Sequence, residues 1–227
     1  VIEIPNWCSN TTYVFGKTEN VKPFLDPIKK VIETVEGSDE NSHASFISIH
    51  YPCPQELRDT KATWVDITNP IPENWLNLVA EGTWTQEQYD SEVAKTLADV
   101  EEKKILIEKY GYKDWYDWSI AHWGTKWGDC ELYLGITDND NGTSEIELRY
   151  ETAWGPALEA IEYISEKFPK LIFSTFYREE GMGFQGYHKV AGGNVIANQS
   201  AEFVPSAEDY DYIMDGMDEQ QLDGLIN

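Results

Sequence analysis

Residues 152–173 read TAWGPALEAIEYISEKFPKLIF, and the pattern changes period within that one run. Leu158, Ile161, Ile164 and Phe168 recur three or four residues apart, which lays a single apolar stripe along a helix from Gly155 to Pro169. Pro156 fits the first helical turn, where its missing N–H costs nothing, and Pro169 ends the helix. The next residues, KLIFSTFYRE (170–179), are rich in β-branched and aromatic side chains and read as a strand.

The same grammar extends in both directions. Upstream, CELYLGIT (130–137) and SEIELRYET (144–152) alternate, and the DNDNG between them suits a hairpin turn. Downstream, GFQGYHKVAGG (183–193) reads as a further strand. The glycines of EEGMGFQG (179–186) lie between two strands and do not open a helix, so this segment reads as a hairpin and not a phosphate loop. In the first half, TTYVFG (11–16) reads as a strand, and VKPFLDPIKKVIETV (21–35) as a helix with prolines near its start. ASFISIHYPCP (44–54) reads as a second strand entering a Pro-rich loop, and Gln86–Tyr110 as a long charged helix. Strand, helix and strand on either side of an insertion imply an antiparallel or mixed sheet with helices on one face.

PNWCSNTTYVFG, YPCPQEL, AHWGTKWGD, TAWGPALEAIEYISEKFPKLIF and YREEGMGFQG together resemble the YubB-type ferredoxin-like family of phages and conjugative plasmids, over most of residues 5–190. The resemblance implies an α/β (α+β) ferredoxin-like sandwich and a mobile-element setting, and supplies no catalytic residues. Residues 1–200 then form that domain, with a helical, Trp-rich insertion at about 60–128, and residues 201–227 form an acidic C-terminal tail outside the shared pattern.

Charge narrows the function. The 227 residues hold 41 Asp and Glu against 17 Lys and Arg, a net charge of -24. So acidic a surface repels phosphate backbones and favours basic partners, which argues against direct nucleic-acid binding. The sequence shows no apolar run long enough to span a bilayer and no signal-peptide pattern at its start, so it reads as a soluble protein without a membrane partner. Three scattered cysteines, Cys8, Cys53 and Cys130, suit a reducing cytoplasm and cannot supply a four-thiolate cluster. His50 and Cys53 form one ligand-like pair where a structural zinc site uses two, even with Cys8, Cys130 and His122 considered. DNDNGTSE lacks the glutamate of a calcium loop, because the twelfth position from Asp138 is Arg149. No metal or cofactor is expected.

Two segments are candidates for function. WYDWSIAHWGTKWGD (115–129) holds four of the nine tryptophans. Its acids outnumber its bases, which disfavours base stacking, and Trp115, Trp118, Trp123 and Trp127 read as anchors for the insertion. Its HWGTKWG turn forms a candidate cleft of His122, Trp123, Lys126 and Trp127. The tail interleaves acids with apolar residues, so Glu208, Asp209, Tyr210, Asp211, Tyr212, Ile213, Met214, Asp215, Met217, Asp218 and Glu219 are candidates for partner binding, with a solvating tail or a segment docked on its own domain as the alternatives. The expected function is an acidic phage- or plasmid-encoded protein of the bacterial cytoplasm. It would bind and inhibit a basic host defence or nucleic-acid-processing protein by mimicking nucleic acid. An enzyme built around His122 and Lys126, and a structural component of the phage particle, are the alternatives. The oligomeric state is left open.

Overall fold

A computed structural model describes residues 6–35, 44–62 and 65–203. The chain divides into two compact units, one built from residues up to Pro52 and from Ser119 onward, the other from Cys53–Trp118.

The first unit is built on β1 (Trp7–Lys17), whose side chains alternate between the two faces of a sheet. It pairs antiparallel with β3 (Thr143–Ala153) on one side, Thr12 opposite Leu148, and with β4 (Ile172–Glu179) on the other, Thr12 opposite Thr175. With β2 (Cys130–Asp138), β5 (Phe184–Ala191) and β6 (Asn194–Glu202) the sheet runs β2-β3-β1-β4-β5-β6, antiparallel throughout. The first four strands with α1 (Thr18–Val35) and α7 (Leu158–Lys167) make the β-α-β-β-α-β arrangement of a ferredoxin-like sandwich, extended at the β4 edge by β5 and β6. The fold class is therefore the one implied by the sequence.

Both helices cover one face. Val21, Phe24, Leu25 and Ile28 form the buried stripe of α1, and Ile161 and Ile164 that of α7. Phe24 meets Phe173 of β4 edge-on at 5.6 Å and Phe168 at 5.5 Å. Beneath them runs a polar seam. Thr12 is bonded to the Tyr150 hydroxyl and to Thr175, each at 2.9 Å, while Asn10 Nδ2 donates to Thr152 at 2.8 Å. A one-residue slip of β1 would turn these groups to the other face, so the seam fixes the register.

Three expectations need correction. α1 begins at Thr18, three residues ahead of the expected stripe, with Pro23 and Pro27 inside it on the exposed side. Residues Phe46–His50 form a short helix, α2, and not a strand. Its β-branched and aromatic composition is overridden by caps at its amino terminus: Ser45 Oγ accepts from Ser48 N, and the Asp129 carboxylate accepts from Phe46 N (3.1 Å), Ile47 N (2.9 Å) and Ser45 Oγ (2.7 Å). Finally, β6 has no counterpart in the sequence reading. Gly192 and Gly193, taken as the end of a strand, have φ of 56° and 75° and form the two-residue turn that returns the chain antiparallel to β5. β6 takes in Ala201 and Glu202, and Phe203 N donates to Gly183 O at 2.8 Å.

The second unit is helical, with α3 (Gln55–Arg58), α4 (Asn74–Ala80) and α5 (Gln86–Tyr110). A capping box of Thr85 and Gln88 starts α5, and Gly111, at φ 81°, ends it. Lys109 pairs with Glu56 at 2.6 Å, and the buried Lys103 ammonium is held by Asp99 at 2.9 Å. α6 (Trp115–Trp123) begins in this unit and ends in the first.

Asp129 generates a test. Asp129→Ala leaves buried N–H groups of α2 without acceptors, and should lower the free energy of unfolding by about 2 kcal/mol or more in a denaturant titration. Burial also pushes the Asp129 carboxyl up to about 6 from its ordinary 3.8. The folded state thus holds that proton more tightly than the unfolded chain. The resulting contribution to stability is complete below pH 3.8 and fades as the pH rises through about 6. The parent should gain stability relative to Asp129→Ala as the pH falls from 7 to about 4.

Candidate functional site

The sheet register gathers side chains that lie far apart in sequence. On the face away from α1 and α7, Ser9 stands opposite Glu151 of β3 on one side and Arg178 of β4 on the other, with Trp7 two residues along β1. Here the strand ends leave a cleft of about 490 Å³, lined by Trp7, Ser9, Glu131, Glu151, Arg178 and Glu180, with Asn6, Cys130, Glu179 and Gly181 completing the wall. A neighbouring hollow of about 260 Å³ extends along the same face past Thr11, Arg149 and Phe176.

A break in β2 shapes the cleft. Successive residues of a regular strand point to opposite faces, yet Cys130 and Glu131 both line the cavity. The register shifts between Cys130 and Tyr133, and Glu131 takes a left-handed φ of 54°. A bulge of this kind re-aims a side chain. Trp154, at the end of β3, is also left-handed with φ 72°, and its N–H donates to Asn6 O at 2.9 Å.

The charges in the cleft wall are unbalanced, with four glutamates and one arginine, Arg178. Ser9 Oγ donates to Glu151 at 2.9 Å, which orients that carboxylate. Burial, assisted by the Glu131 charge, holds the Glu151 carboxyl above its ordinary value, while the Ser9 bond and Arg178 pull it down. Glu179 is buried and accepts from Gly181 N (2.9 Å) and Met182 N, so its role is to hold the β4–β5 turn. Arg178 is half exposed and approaches Glu180 at 3.7 Å. Trp7 is 42% exposed and packs tilted against Trp127, 6.3 Å between ring centres. Lys126 places its ammonium 4.6 Å over the Trp127 ring.

The residues of the expected cleft are distributed differently. Gly124 terminates α6 at φ 75°, so Lys126 does not share a helical face with His122. His122 Nδ1 and the Tyr51 hydroxyl form a close hydrogen bond, and burial lowers the His122 pKa. Trp123 is buried and donates its indole N–H to Tyr51 O at 2.9 Å. Tyr51 in turn stacks on Tyr163 at 3.6 Å, beneath Lys167. Neither His122 nor Lys126 lines the two hollows described above; Trp127 reaches the larger one through Trp7. The tail candidates Glu208 to Glu219 lie outside the described residues.

Elsewhere on this face Tyr133 is 52% exposed, with the Arg149 guanidinium 5.1 Å over its ring. Phe176 and Tyr187 are 4.8 Å apart between ring centres but only 4% and 8% exposed. His50 is stacked on Phe24 with Nε2 3.0 Å from Phe24 O, and burial pushes it down to about 4. Among the described residues no group of three or more His, Cys, Asp or Glu side chains is placed to hold a metal ion, and no helix is long and apolar enough to cross a membrane.

Residues 133–218 match the family model of the ferredoxin-like domain in Api92-like proteins. This part of the chain is similar to an Api92-like ferredoxin-like domain. The match takes in most of β2 and everything from β3 to β6, then continues to residue 218. The matched span thus includes residues 201–218 of the acidic segment. Among solved structures, the crystal structure of protein api92 from Yersinia pseudotuberculosis aligns over 89% of this chain and 99% of its own, at 13% identity and a TM-score of 0.43. No curated protein matches the chain.

Removal of the Ser9 hydroxyl isolates one cause of the Glu151 shift. A donor to the carboxylate favours its charged form, so Ser9→Ala should make Glu151 titrate higher than in the parent. Carboxyl carbon shifts followed by NMR against pH would show this, and an unchanged midpoint would contradict the geometry.

Proposed function

We propose that this chain acts by binding: it is an acidic accessory protein of the YubB type, encoded by a phage or conjugative plasmid, that occupies a basic host protein in the bacterial cytoplasm. The target is a defence or nucleic-acid-processing complex whose basic groove ordinarily holds nucleic acid, and the acidic surface competes for that groove.

The observation that carries this reading is the acidic cleft on the sheet, set in a chain of net charge -24. Fields of that strength speed encounter with basic surfaces and repel phosphate backbones. An enzyme centred on His122 and Lys126 is less well supported. His122 is bonded to Tyr51 and Lys126 lies over Trp127, and neither faces the larger cleft. A component of the phage particle remains the other alternative, and it would be recovered with virions and not with a host protein.

Affinity capture from bacterial lysate, followed by titration of the purified partner, tests the proposal. The partner should be basic, and its Kd should weaken by about tenfold or more between ~0.05 M and ~0.5 M salt. A neutral partner, or an affinity indifferent to salt, would overturn the charge-based reading. Truncation belongs after Phe203, beyond the last bond of β6, and should leave the sheet folded by circular dichroism while slowing association.

A further inference from the structure

We propose that the cleft at the Trp7 end of the sheet receives an arginine side chain of the partner, with its guanidinium held by Glu151 and Glu131 and stacked on the Trp7 indole. This rests on the reading of the chain as a binder of basic proteins, and it names the chemistry of the contact.

Three independent features converge there. The first is space: about 490 Å³ of cleft is ample for one long side chain. The second is charge placed at the right points. Glu151 is oriented by Ser9, and an ionised carboxylate has acceptor capacity beyond that one bond. The β2 bulge brings Glu131 into the same cleft, where regular alternation would have turned it away from Cys130. Arg178 lies 3.7 Å from Glu180 and also acts on Glu151, so one cation stands among four carboxylates and the wall stays net negative.

The third feature is the exposed indole. Trp7 is 42% exposed, on the same face of β1 as Ser9 and about 7 Å along the strand from it. The adjoining Trp127 ring already carries the Lys126 ammonium, so the pair of indoles has one cation site filled from within the chain. A planar, weakly hydrated guanidinium stacks on an indole and grips a carboxylate through two N–H groups. An ammonium does neither as well, so the cleft selects arginine over lysine.

The test uses the full chain and three peptides at low salt: hexa-arginine, hexa-lysine and hexa-citrulline, the last keeping the shape of arginine without its charge. Calorimetric titration should show hexa-arginine binding several-fold more tightly than hexa-lysine, and no measurable binding of hexa-citrulline. The double variant Glu131→Gln, Glu151→Gln should lose about tenfold in affinity for hexa-arginine. A control that removes the same charge from exposed positions on α5, Glu87→Gln with Glu108→Gln, should keep it. If the control loses as much, or arginine and lysine bind alike, the cleft assignment fails while binding by general acidity survives. If none of the cationic peptides binds, the proposed function fails with it. Should the cleft variant unfold, the unmodified chain decides: hexa-arginine must shift the Trp7 indole N–H resonance, and an unmoved signal overturns the assignment.

Discussion

The Asp129 carboxylate is the constraint on which the architecture of the first unit depends. It sits one residue ahead of β2 and accepts three hydrogen bonds from the start of α2, joining segments 82 to 84 residues apart in sequence. That clasp fixes α2, whose Phe46 packs edge-on against Tyr150 in the middle of β3. It also fixes where β2 enters the sheet. Cys130 and Glu131 follow immediately, so the placement of the cleft wall is a downstream effect of a buried acid that never touches the cleft. Burying a carboxylate is costly, and these three donors offset much of that cost.

The sequence made the regular part of the fold legible. Strict alternation marked β1, β2 and β3, and the stripes of α1 and α7 were plain, because each element has one buried face and one exposed one. Two elements were obscured by opposite causes. FISIH has the composition of a strand, and the acid that converts it into a helix lies more than 80 residues away, where local pattern carries no trace of it. β6 is polar and largely exposed, so it lacks an apolar signature, although the Gly-Gly pair before it was a usable hairpin signal.

The candidate site was less legible than the fold, for a geometric reason. Trp7, Glu131, Glu151 and Arg178 come from four different strands, and only the pairing register makes them neighbours. No spacing rule within one segment could assemble them. The clustered tryptophans attracted attention as a cleft because they are adjacent in sequence, yet Trp118 and Trp123 are buried and Trp127 alone stands beside the sheet cleft. Composition, by contrast, transferred directly: an excess of acids along the chain reappears as an excess of acids around the cavity.

Tyr51 meets both His122 and Trp123, one residue before the chain leaves the first unit and just after it returns. The two points of departure and re-entry are thus fastened to each other by the domain itself. What lies between them is topologically a side loop, whose length does not have to be accommodated by the sheet. The ferredoxin-like core therefore has a built-in splice point. A change in the length of the helical segment there can leave strand order and register as they are, because every strand of the sheet lies in the first unit.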